Sequence, residues 1–159
     1  MLLHSPAAQR ENAMKARIRR MTRKDFAAAL ALWQSVKGVG LDPAADSPAG
    51  LAAYLRHNPG LSFVAEVGGQ LVGAALCGHD GRRGYLHHLA VAAIHRRQGI
   101  GQALAARCLA ALGSAGIEKC HLFVFSNNRA GQKFWKSTGW QWREELQIMS
   151  QRIAAAKRK

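Results

Sequence analysis

With 159 residues, 48% hydrophobic and 20% charged side chains, the chain has the size and composition of one globular domain with a substantial core. No apolar run approaches the roughly 20 residues that a membrane-spanning helix needs, and Met1–Met14 lacks the apolar block of a secretory signal. The formal net charge of +14 predicts weak attraction to polyanions, with basic side chains crowding the two ends, Arg10–Arg23 and Arg152–Lys159, but charge alone names no partner.

The ends read as a flexible lead over 1–14 and a basic tail over 151–159, leaving one domain over 15–150. Basic and apolar side chains alternate through Ala16–Met21, which predicts an edge strand. Thr22 and Asp25 form a capping-box pattern, and Phe26, Leu30 and Trp33 follow at helical spacing until Gly38. After a loop over Leu41–Asp46, Ser47-Pro48 starts a second helix that ends at Asn58-Pro59. Two strands, Ser62–Val67 and Gln70–Cys77, flank Gly68-Gly69, a hairpin signal because the tight turn needs positive φ. A glycine-rich bend leads into a strand over Tyr85–Val91, a helix over Gly101–Leu112 and a buried strand over Lys119–Phe125. Asn128 caps a helix that reaches Ser137 and stops at Gly139, and Trp140–Ser150 supplies one or two last strands. The order describes an α/β domain with a mixed, largely antiparallel central sheet flanked by helices. Cys77, Cys108 and Cys120 form no motif and lie in apolar stretches, as buried free thiols of a cytoplasmic protein would.

Between the strand ending at Val91 and the next helix stands Arg96-Arg97-Gln98-Gly99-Ile100-Gly101. Free amides in a helix's first turn carry partial positive charge and bind anions. Gly99 and Gly101 lack the Cβ atoms that would hold a pyrophosphate away from the backbone, and Arg96 and Arg97 add guanidinium groups suited to bidentate phosphate contacts. A dinucleotide-binding fingerprint would need a third glycine where Leu104 stands, and a kinase-type phosphate loop needs Gly-Lys-Ser/Thr, which is absent.

The pattern Arg96-x-x-Gly99-x-Gly101, after the apolar triplet Leu89-Ala90-Val91, resembles the acyl-coenzyme A signature of the GNAT superfamily of N-acetyltransferases. Asn128 and Phe134-Trp135-Lys136-Ser137-Thr138-Gly139-Trp140 match a second, downstream motif of that superfamily, and the element order matches from about Ala16 to Ser150. The resemblance implies an acetyltransferase that moves an acetyl group from acetyl-CoA to a primary amine by direct attack in a ternary complex, as a monomer or homodimer without metal. It implies that the strands Tyr85–Val91 and Lys119–Phe125 splay apart, leaving backbone groups of Leu89 and Val91 for the pantetheine arm. The amides of Gln98, Gly99, Ile100, Gly101 and Gln102 then meet the pyrophosphate, and Asn128 and Trp135 reach the cofactor. An acyl-CoA-binding sensor or adaptor without turnover is the alternative.

Amines of lysine-like pKa are about 0.1% neutral near pH 7.4, so a base contributes up to about 4 kcal/mol. His87 and His88 are the candidates, and strict strand alternation allows only one of them into the cleft. His87, two residues before Leu89, resembles the base histidine of arylalkylamine acetyltransferases, although Tyr85 stands where those carry a second histidine. Trp135 occupies the place of a tyrosine that protonates the departing thiolate in many relatives, and an indole N–H cannot deliver that proton. The resemblance places acceptor specificity in the helix–loop–helix segment Val36–Ala52, whose loop residues Asp42 and Asp46 suit a cationic amine, and in the final hairpin, roughly Trp140–Ile148. The seven histidines show no ligand spacing for a metal.

Overall fold

The computed structural model describes residues 15–155; the lead over 1–14 and the last residues of the basic tail lie outside the described residues. The described chain clusters into two compact units that divide between Phe125 and Ser126.

In the first unit, β1 (Arg17–Arg20), β2 (Phe63–Val67), β3 (Gln70–His79), β4 (Gly84–Val91) and β5 (Cys120–His121) lie side by side in chain order. The first three pairings are antiparallel and the last is parallel. The β2–β3 hairpin turns through Gly68 and Gly69 at φ 60° and 78°, values that cost a side-chain-bearing residue free energy and cost glycine little.

Three helices cover this sheet: α1 (Phe26–Ser35), α2 (Pro48–His57) and α3 (Ile100–Ser114). Asp25 opens α1 after a short turn, and its Oδ2 accepts from the Thr22 amide at 2.7 Å and hydroxyl at 3.1 Å. The same carboxylate takes both terminal nitrogens of Arg19, at 2.7 and 2.8 Å, while Arg19 also reaches Glu66 on β2. Charge and hydrogen bonds from Arg19 hold the Asp25 carboxyl below the usual carboxylate range. Ser47 Oγ accepts the Gly50 amide at 3.0 Å and caps α2, with Pro48 at its first position.

Trp33 and Leu51 pack with Val64, Ala74, Leu76 and Ala90 as one buried cluster. Gly73 on β3 admits α3: a Cβ there would lie 3.0 Å from Leu104 and 3.2 Å from Ile100. Leu104, Cys108 and Leu112 line the buried stripe of α3, each worth about 1.5–3 kcal/mol for a leucine-sized side chain. Cys77 and Cys108 are buried free thiols, and Cys120 is half-buried. No described helix is long and apolar enough to cross a membrane.

In the second unit, α4 (Arg129–Ser137) starts at Asn128, whose Oδ1 accepts the Gly131 amide at 3.0 Å. The helix ends as expected, with Gly139 at φ 91° and the Trp140 amide on the Trp135 carbonyl at 3.0 Å.

Two strands read from the sequence differ. The one expected over Lys119–Phe125 shortens to Cys120–His121, and Phe123 and Phe125 are 60% and 56% exposed. Trp140–Ser150 forms no strand. Apolar residues become a strand only where a neighbour completes the ladder, and β5 offers just two paired residues after α3.

Candidate active site

The contiguous stretch Leu89–Gln102 forms the first half of the site. β4 pairs with β5 only at Gly84↔Cys120 and Tyr85↔His121, so Leu86–Val91 has no β5 residue opposite it. Leu89 and Val91 lie on this departing stretch while Ala90 is buried in the core. Arg96 folds back, its Nε donating to the Val91 carbonyl at 3.0 Å. The Val91 oxygen expected to face a pantetheine arm is therefore engaged by the side chain expected to face phosphate.

Arg97 and Gly99 both have left-handed backbones, at φ 58° and 79°, separated by Gln98. Such alternation turns successive amides toward one concavity, an anion-binding arrangement. Gly99 is the N-cap of α3, and the first ladder bond runs from the Ala103 amide to the Gly99 carbonyl at 3.0 Å. The amides of Ile100, Gly101 and Gln102 precede that bond and have no intrahelical acceptor. Arg96, Arg97, Gln98 and Gly99 are exposed, whereas Ile100 is buried and pins the turn to the sheet. The chain thus presents helix-start amides beside two guanidinium groups, with no side chain on Gly99 to cover them. That is a fit for a phosphorylated ligand.

The second half is assembled across the fold. In the β3–β4 ladder Leu76 pairs with His87 but Ala74 pairs with Ala90, so His88 and Leu89 together face Ala75. This β-bulge carries His88 at φ 48°, a conformation that costs a non-glycine residue on the order of 1 kcal/mol or more. The bulge breaks the alternation. Both histidines line the same cleft, correcting the expectation that only one could enter it.

That cleft, of about 530 Å³, lies between the end of β4, the loop before α2 and α2 itself. His87 stacks on Tyr85 with ring centroids 6.2 Å apart and meets the edge of Tyr54 at 6.1 Å. Burial, aided by the charge of His88 and opposed by Asp46, holds the His87 imidazole below the ordinary histidine value. Burial also pushes the Tyr54 phenol up, so it stays protonated. His88 turns its Nε2 to Asp46 Oδ1 at 2.7 Å, and Trp33 packs on its ring at 5.3 Å. Asp46 is 8% exposed, and its Oδ2 accepts the Asp42 amide at 2.7 Å. A neutral imidazole beside a buried carboxylate–imidazole pair can accept a proton and steady a positive charge.

Asn128 and Trp135 belong to the second unit. The Asn128 side chain caps α4, and Trp135 is packed edge-on between Phe134 at 4.8 Å and Trp140 at 5.1 Å. The sequence reading placed Asp46 toward an acceptor and missed its bond to His88. It gave Tyr54 no role, although that residue lines the cleft. The signal was a carboxylate in a loop just before a capped helix, which a single sequence cannot pair with a histidine 42 positions on.

The chain as a whole resembles known proteins. The model of the acetyltransferase (GNAT) family matches residues 18–140, spanning both motifs. The chain is 37% identical over 113 residues to an acetyltransferase of Pectobacterium atrosepticum, covering 71% of this chain and 79% of that one. It resembles a GCN5-related N-acetyltransferase of Ralstonia eutropha at 25% identity and TM-score 0.65, over 89% of this chain and all (100%) of the other. The fold is shared with the PaiA N-acetyltransferase of Thermoplasma acidophilum, solved in complex with coenzyme A, at TM-score 0.69 and 19% identity, over 80% and 91% of the two chains. With the sheet, the glycine–arginine turn and the family match in agreement, this chain belongs to the GNAT family of acetyltransferases.

Proposed function

We propose that this protein transfers the acetyl group of acetyl-CoA to a primary amine of a small molecule or peptide, by direct attack in a ternary complex, with residues 15–150 working as one domain. The observation that carries the reading is the juxtaposition on β4: the strand that leads into the open amide turn at Gly99 also presents a histidine kept neutral by burial to a 530 Å³ cleft. Acetyl-CoA supplies an activated acyl carbon on a thiol leaving group. Arg96, Arg97 and the amides of Gln98–Gln102 hold its diphosphate, and the open stretch of β4 at Leu89–Val91 aligns its arm, with Asn128 and Trp135 as further contacts.

His87 takes one proton from the incoming ammonium group, directly or through a water, so that the nitrogen lone pair is free to form the C–N bond. As the C–S bond breaks and the coenzyme leaves as thiolate, the second proton on that nitrogen passes to solvent. A backbone amide at the bulge stabilises the carbonyl oxygen as negative charge gathers there. Trp135 supplies no proton to the thiolate. A thiol of pKa near 8.5 leaves tolerably as its anion, and acquiring the proton near pH 7.4 adds only about 1.5 kcal/mol. Loss of the tyrosine therefore slows the reaction without stopping it. Three free thiols suit the reducing cytoplasm.

Thermal-shift titration with acetyl-CoA, followed by thiol release with a panel of amines, tests the reading. The parent protein binds with a Kd on the order of micromolar, about −8 kcal/mol, and Gly101→Trp, which fills the turn, binds little. Binding without thiol release from any amine would favour a sensor that holds the cofactor and transfers nothing.

A further inference from the structure

The bulge in β4 is held from outside the sheet. His88 is left-handed at φ 48° in the middle of a ladder, a backbone state that a residue with a side chain keeps only when its surroundings enforce it. Its ring is fixed on two sides. Trp33 of α1, fully buried, packs on it at 5.3 Å, and Asp46, at the end of the loop before α2, takes its Nε2 at 2.7 Å. Asp46 is itself tied down, since its second oxygen accepts the Asp42 amide at 2.7 Å and Asp42 Oδ1 accepts the Ala44 and Ala45 amides at 2.9 Å each. A rigid knot of loop thus grips the side chain whose backbone makes the bulge.

We propose that Asp46 is a positioning residue for acetyl transfer: by holding His88 Nε2 it keeps the β4 bulge in place, and so couples the loop over Asp42–Asp46 to the backbone that meets the acyl group. The bulge decides that His87 as well as His88 faces the cleft and that Leu89 and Val91 follow out of phase with β3. Without the anchor, strand alternation returns and the reacting groups lose their alignment. The bond does not need a charged histidine, because the neutral Nε2–H tautomer donates to the carboxylate equally. Asp46 acts here through His88 and not on the acceptor's charge. The inference rests on the acetyltransferase reading for its kinetic arm alone.

The test is a rescue. Asp46→Ala should lower kcat about tenfold or more while the KM for acetyl-CoA holds, since small misplacements of reacting groups cost that much. Glycine or asparagine takes a left-handed backbone readily, so adding His88→Gly or His88→Asn to Asp46→Ala should recover at least about fivefold of the lost kcat. A role limited to attracting a cationic amine would instead raise the amine KM in Asp46→Ala and give no recovery in either double variant. The scalar coupling between the amide and α protons of residue 88, which reports φ without any turnover, should move toward its extended-strand value in Asp46→Ala and stay left-handed in the parent. Two results overturn the proposal: an unchanged coupling in Asp46→Ala, or double variants no faster than that single variant. If the parent releases no thiol with any amine, the function proposed above has failed, and the coupling measurement still decides the anchor.

Discussion

Arg97 and His88 are the two non-glycine residues with left-handed backbones among those described, at φ 58° and 48°, and the molecule holds them in opposite ways. Arg97 is exposed in a short connection, two residues before the left-handed Gly99, and its neighbours along the chain set its conformation. His88 sits in a ladder and is clamped by Trp33 and Asp46, which come from α1 and from the loop before α2. One half of the site is therefore a local turn that carries its own instructions. The other exists only once two helices and a loop have closed over the sheet.

Variants at three positions sharpen or break that contrast. The largest effect falls on the assembled half: His87→Ala should lose about 10²- to 10³-fold in kcat near neutral pH and recover much of it in alkali, where the amine deprotonates unaided. Acetyl-CoA affinity, which the proposed function assigns to the local turn, should hold. Full activity near neutrality would remove His87 from the reaction. Since burial lowers its folded-state pKa, His87 contributes stability that is complete above the ordinary histidine value of about 6.5 and is lost as the pH falls through the lowered one. Melting temperatures of His87→Gln should therefore depend less on pH below that value than the parent's do.

Next comes Trp33→Leu. Trp33 is 0% exposed, and the smaller side chain leaves a void against the His88 ring, destabilising the fold by about 2–3 kcal/mol in a denaturant titration. In the folded fraction the variant should bind acetyl-CoA normally and transfer slowly. Equal loss of both would mean that the turn also leans on the assembled core.

Smallest is Arg97→Gly. Glycine accepts the left-handed backbone, so stability should stay within about 0.5 kcal/mol of the parent. Removing an exposed charge should weaken acetyl-CoA binding only about threefold, with a shallower dependence on salt. A large loss of stability here would show that the turn is not locally determined.

The same contrast explains what could be read from the letters. Ser47-Pro48, Gly68-Gly69 and Asn128 announce themselves because cap and turn are each built within a few residues, and each stands where expected, while the Arg96–Gly101 run turns through left-handed Arg97 and Gly99 into α3. The β4 bulge did not announce itself. His87-His88 reads as ordinary alternation, and the slip that turns both rings into one cleft arises from tertiary contacts. The strands expected over Lys119–Phe125 and Trp140–Ser150 differ for a related reason: their apolar content is real, but pairing is a property of two segments.

The cysteines bear on how such a protein can be assayed. Cys77 and Cys108 are fully buried, and the Cys108 thiol is raised by its hydrogen bond to Cys77 and by burial. Burial pushes Cys120 up to about 12. Thiol-counting dyes react with thiolates, so the native chain stays nearly silent beside the coenzyme thiol that turnover would liberate. The same silence makes the dye a clock for opening: sulfhydryls that surface slowly from resting protein report how often the first unit comes apart.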